Sequence, residues 1–148
     1  PDIDKKKSDY KKLKTLGTEL AREGHSVKLT PSVHFKSQEY RNIYGTLTGT
    51  PYERKCPDLS IDGMFYEFEG FAKPWKKSKV SSMISHGTKQ SSRIIIDNTK
   101  GCSDRYIRKH ILARIHAGTT IDEVWLYEKG KMRLFYIDGI FHKNNGGN

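Results

Sequence analysis

The stretch PDLSIDGMFYEFEG, residues 57–70, constrains this chain more than any other. Asp62-Gly63 is a dipeptide that two-residue primed turns select, because both central positions need positive φ. A turn there pairs Ile61 with Met64, Ser60 with Phe65, Leu59 with Tyr66 and Asp58 with Glu67. Side chains alternate along a strand and agree between direct partners. Leu59, Ile61, Met64, Tyr66 and Phe68 therefore share a core-facing side, while Asp58, Ser60, Glu67 and Glu69 share the other. Directly opposed like charges destabilise a sheet by some tenths to about 1 kcal/mol, so Asp58 across from Glu67 asks for a compensating cation. Three arrangements answer that demand: a divalent metal between two carboxylates, a neighbouring Lys, Arg or His, or a carboxyl of raised pKa serving as general base. The plain alternative is a solvated face whose acids bridge to surplus lysines.

Three acids on one strand face stand out because the chain as a whole is basic, with 27 Lys and Arg against 17 Asp and Glu and a net charge of +10. That balance favours a polyanionic partner, nucleic acid first and an anionic membrane surface second, with simple solubility as the alternative. No stretch approaches the ~18 apolar residues of a membrane span. Cys56 and Cys102 lack CxxC spacing. They read as free thiols, a single disulfide between them being the alternative, and a zinc site is not expected.

The remaining elements follow from periodicity. Tyr10, Leu13, Leu16 and Leu20 give a helix over 8–23 stopped by Gly24. Val27 and Leu29 mark a strand, 37–44 a short helix, and TLTGTPYERK a loop. Residues 73–79 form a basic loop, 80–87 a helix and RIIID a buried-type strand. Ser103 caps a helix to Ala117 with Ile107, Ile111 and Ile115 inward. EVWLY and KMRLFYI pair about Lys129-Gly130. The expected fold class is α+β: an N-terminal helix, then a curved, mainly antiparallel sheet of five or six strands with helices packed on one face. One domain spans 1–148, with 1–7 and 143–148 disordered.

Two family patterns match these residues. Pro57-Asp58, eight intervening residues and then Glu67-x-Glu69 resembles the PD-(D/E)xK signature of restriction-endonuclease-like enzymes, with Glu69 standing where that signature has Lys. This resemblance implies a Mg²⁺-dependent DNA nuclease. The blocks REGHSVKLTPSVHF, KCPDLSIDGMFYEFEGF and KQSSRIIIDNTKG, spanning roughly residues 19–101, are similar in order and spacing to the C-terminal tRNase toxin domains of CdiA-type contact-dependent inhibition proteins. That second resemblance implies membership of the barnase, EndoU, colicin and RelE-like superfamily. It also implies metal-free cleavage of RNA, most of all tRNA, a cognate immunity protein as partner and no cofactor. Such domains are carried at the end of larger secreted polypeptides and act in the cytoplasm of the target cell, which suits a chain opening on Pro1.

Metal-free RNA cleavage needs a base near the 2′-OH, an acid for the leaving oxygen and cations for phosphate. The expected catalytic set is Asp58, Glu67, Glu69, His86 and Lys89, with His86 as acid or base from a loop between helix and strand, and no metal ligands. Substrate contacts are expected from Lys73, Trp75 and Lys76 in the basic loop, from Gln90 and Arg93, and from Arg105 and Arg108 on the last helix. A non-catalytic nucleic-acid-binding module of a mobile element is the alternative from outside enzymology.

Overall fold

The computed structural model describes residues 9–71 and 74–143. Lys73 lies outside the described residues, as do 1–7 and, of the 143–148 expected to be disordered, all but Lys143. Helix α1 (Tyr10–Arg22) leads into β1 (Val27–Leu29), α2 (Gln38–Tyr44) and a 3₁₀ turn (Gly45–Leu47). The hairpin β2 (Leu59–Ile61) and β3 (Met64–Glu69) follows, then α3 (Lys79–Gln90), β4 (Arg93–Asp97) and α4 (Asp104–His116). Strands β5 (Glu123–Glu128), β6 (Lys131–Ile137) and β7 (Ile140–Phe141) complete the order.

The hairpin register is the one the Asp-Gly turn demands: Ile61 opposes Met64, Ser60 opposes Phe65 and Leu59 opposes Tyr66. Asp62 and Gly63 both have positive φ, at 50° and 84°, as a primed turn requires. The same logic closes β6 onto β7 through Asp138-Gly139, a second IDG turn that supplies the seventh strand. The expectation of five or six strands falls short by this one short hairpin.

The seven strands of the described residues form one mixed sheet in sequence order. Most neighbours are antiparallel, but β3–β4 and β4–β5 are parallel, each joined through a helix. The class is α+β, with the helices divided between two faces of the sheet rather than gathered on one. Leu13, Leu16 and Leu20 of α1 pack with Leu59, Ile61, Tyr66, Phe68, Ile95 and Tyr127. Val80, Met83 and Ile84 of α3 and Ile107 and Ile111 of α4 pack with Ile94, Ile96, Val124 and Leu126 on the other side. Consecutive isoleucines in RIIID thus belong to two different cores, which is why that strand is apolar throughout rather than alternating. Met64, expected to face the core, is 49% exposed at the turn.

Local signals hold the helices in place. The Ser103 hydroxyl accepts the amide N–H of Tyr106 at the start of α4, and Ser37 does the same for Tyr40 at the start of α2. Helix α3 runs past Gly87 to Gln90, so His86 lies inside a helix and not in a loop. Ile115 is only partly buried, unlike Ile107 and Ile111. Both cysteines are free thiols.

Candidate active site

Parallel pairing decides where the acidic face of the hairpin points. Glu67 is the register partner of Ile94 and Glu69 of Ile96. Both carboxylates therefore lie on the face covered by α3 and α4, and Asp58, opposite Glu67, joins them. The face that alternation leaves polar is roofed in part by a helix, which leaves Asp58, Glu67 and Glu69 half-buried. A Cβ on Gly87 would lie 2.9 Å from Glu69 Cγ and 3.1 Å from Ile94 Cγ2, so the absence of a side chain there lets α3 close on the strand.

The electrostatics follow from this closure. Burial, then the charge of Asp58, then that of Glu69, drives the Glu67 carboxyl far above the ordinary carboxylate range. Burial, Asp58 and Asp9 push Glu69 up to about 8. Glu67 Oε1 is sealed from solvent without a hydrogen-bond partner. Asp58 is held in place, its Oδ2 accepting the amide N–H of Phe68 at 2.9 Å. Among the described residues, neither Glu67 nor Glu69 forms an ion pair with a Lys, Arg or His.

Asp9, at the N-cap of α1, is a fourth acid here that reading the sequence did not single out. A Cβ on Gly70 would fall 2.2 Å from Asp9 Oδ1, so a glycine at 70 is what admits this carboxylate beside the end of β3. Lys12, less than one turn along the same helix, hydrogen-bonds and ion-pairs with Asp97, whose side chain is fully buried at the end of β4. Its Nζ also stands 4.6 Å from the centre of the Phe71 ring, and Lys100 Nζ stands 5.4 Å from it. No short-range spacing could have joined α1 to the acids, since the two are some 50 residues apart in the chain.

The other expected site residues are dispersed. His86 and Lys89 are exposed on α3, and neither contributes to the shifts of Glu67 and Glu69. Gln90 and Arg93 line a cavity of about 190 Å³ with Tyr52, Met64 and Phe65, towards the opposite end of β3 from Glu69. Arg93 is already engaged there, its Nε 3.4 Å from Glu123 Oε2. Trp75 packs edge-on against Phe71 at 5.3 Å and is partly buried on the α3/α4 core, which pins the loop. Lys76 is exposed. Arg105 and Arg108 project from α4, where they line a groove of about 420 Å³ with Lys109 and His116.

The donor set suits a hard divalent cation. It consists of carboxylate oxygens, one of them buried and unpartnered, and Mg²⁺ binds through one or two carboxylates with water and phosphate completing its shell. Among the described residues no group of three or more His, Cys, Asp or Glu is placed to hold a metal ion. No helix among the described residues is long and apolar enough to cross a membrane. No protein-family model, curated protein or solved structure matches this chain.

Proposed function

We propose that this chain is a nuclease, a phosphodiester hydrolase whose reacting centre is Asp58, Glu67 and Glu69 with Mg²⁺ as cofactor. The observation that carries this reading is the acidic cluster beneath α3: three half-buried carboxylates side by side, with Glu67 Oε1 sealed from solvent without a hydrogen-bond partner. Natural chains seldom keep a buried polar atom unsatisfied without a use for it. Asp58 and Glu67 are the residues suited to hold the ion, which when bound supplies charge neutralisation and an acidified water. Glu69, whose carboxyl burial and the neighbouring acids push up to about 8 in the metal-free protein, would lose that proton to the pull of a bound cation and could then take one from the attacking water. The net charge of +10 draws the polyanionic substrate in. The PD…ExE resemblance points the same way.

The test is cleavage of supercoiled plasmid and of total tRNA, each in Mg²⁺ and in EDTA. We expect cutting in Mg²⁺ only, abolished by Glu67→Gln and by Glu69→Gln. Cutting that survives EDTA or either substitution would overturn this reading. The toxin-domain resemblance supports a second one, a metal-free tRNA nuclease with a cognate immunity protein. Its signature in the same assay is tRNA cleavage in EDTA that His86→Ala removes. The tRNA and plasmid arms also identify which nucleic acid is the substrate.

A further inference from the structure

From the arrangement around Phe71 we infer a phosphate subsite, formed by Lys12 and Lys100, for the nucleic-acid strand that enters the carboxylate site. The inference rests on the nuclease reading and extends it to a substrate contact that neither the hairpin nor the basic loop supplies.

Three observations meet at the carboxyl ends of the parallel strands β3 and β4. First, two ammonium groups reach one aromatic ring: Lys12 Nζ at 4.6 Å and Lys100 Nζ at 5.4 Å from the centre of Phe71. Two like charges are brought to one ring, and the ring's negative face with the one carboxylate of Asp97 offsets only part of their positive charge. An anion between them removes the rest. Second, Lys12 is pre-positioned. Its ammonium is bonded to the buried carboxylate of Asp97, which is itself fixed by the amide N–H and hydroxyl of Thr99. Lys100 has no such acid and sits exposed in the turn closed by Gly101, so the pair with Asp97 carries a net positive charge. Third, Phe71 lies two residues beyond Glu69 on the same strand exit, and Asp9, less than one helical turn before Lys12, acts electrostatically on Glu69. The cations and the acids therefore border one another where ligands bind in open sheets with parallel strands, outside the carboxyl ends.

The division of labour is electrostatic. The acidic cluster repels a phosphate until it holds a cation, so a strand needs attachment beside it as well as within it. Lys12 and Lys100 attach a neighbouring phosphate and hold the strand in line. Phe71 supports the two ammoniums and is itself braced by Trp75.

The experiment is fluorescence anisotropy with a labelled 15-nucleotide single strand, once as DNA and once as RNA, in EDTA to prevent cutting. For wild type, Lys100→Ala, Lys12→Arg and Phe71→Ala, affinity is measured across salt concentration. Lys100→Ala is the decisive variant because its loss leaves no buried partner stranded. We expect it to weaken binding about three- to tenfold near 0.1 M salt and to reduce the slope of log K against log salt by roughly 0.7 to 0.9, the loss of one phosphate contact. Lys12→Arg keeps the charge and the slope, and Phe71→Ala weakens binding. Unchanged affinity and slope in folded Lys100→Ala would overturn the subsite, even if wild type cuts nucleic acid in Mg²⁺. Binding that depends on Lys100 in a protein that never cuts would leave the subsite standing and overturn the hydrolase. Failure of wild type to bind either strand would overturn both.

Discussion

Asp58 and Glu67 face one another across the β2–β3 ladder on the side roofed by α3, with Asp58 Oδ2 fixed by the Phe68 amide and Glu67 Oε1 buried without a partner. Two like-charged groups in a half-closed site cannot both ionise cheaply, so one proton stays with the pair. The hairpin turn makes this opposition obligatory, and the helix above makes it costly.

A pH dependence of stability follows. In the metal-free protein Glu67 and Glu69 hold protons well above 4.5, their ordinary value, whereas the unfolded chain releases them near it. The native state then binds more protons than the unfolded state between about pH 4.5 and 8, and beyond 8 for Glu67. Stability is present in full below 4.5 and is lost as pH rises through that window. Thermal melting in EDTA should show Tm falling from pH 5 to 9. Glu67→Gln should flatten the fall and raise stability by about 1 to 3 kcal/mol at pH 7, with little gain at pH 4. A Tm that rises across this window would contradict the burial of these acids.

Gly87→Ala tests the roof over the cluster. The added methyl meets Glu69 Cγ at 2.9 Å and Ile94 Cγ2 at 3.1 Å, so the helix or the carboxylate has to move. Helix propensity favours Ala by about 1 kcal/mol, while overpacking costs about 1 to 3. The expected net change in stability is small, a loss of roughly 0 to 2 kcal/mol. Activity should fall much further, because the displaced group belongs to the reacting centre. Urea denaturation beside the cleavage assay separates the two, and full activity in this variant would place Glu69 outside the chemistry.

What could be read from the sequence divides along a physical line. The register of residues 58–69 was legible because a primed turn and a strict two-residue alternation leave one solution. The fate of the acidic face was not, since it depends on the parallel pairing of Glu67 with Ile94, set by a helix and strand more than 20 residues further on. RIIID is apolar at every position and cannot say which isoleucine meets which core. Gly87 reads as a helix stop from propensity, whereas tertiary packing keeps it helical and uses its missing side chain. Asp9 and Lys12 carry no local signal at all. The IDG turn at 137–139 did carry one, the same dipeptide that fixed the first hairpin, and the strand after it is simply short.

A second buried carboxylate serves stability. Glu123 accepts hydrogen bonds from Tyr66 OH and Trp125 Nε1, both at 2.7 Å, and stands 3.4 Å from Arg93 Nε. Glu123→Ala leaves a part-buried guanidinium and two donors without their acceptor, an expected loss of about 2 to 4 kcal/mol in urea unfolding. The network lies on the α1 side of the sheet, away from Glu67 and Glu69. Activity per folded molecule should therefore be unchanged, which measurement below the unfolding midpoint would check.

Cation binding should be visible as released protons. At pH 7 Glu67 and Glu69 are both protonated in the metal-free protein, because burial and their neighbours' charges hold their proton affinities high. An ion can be coordinated only by deprotonated carboxylate oxygens, so Mg²⁺ has to displace what the carboxyls carry. Isothermal titration calorimetry in two buffers of different ionisation enthalpy reads this directly: the observed heat should differ between them by the ionisation difference times the number of protons released, between about one and two at pH 7. The number should fall to about one half at pH 10, where Glu69 has lost its proton unaided and Glu67, raised to about 10, has lost half of its own, and at pH 7 in Glu67→Gln it should drop by about one. Binding of Mg²⁺ with heats independent of buffer at pH 7 would mean that the ion sits elsewhere, and that the opposition of Asp58 and Glu67 is not its site.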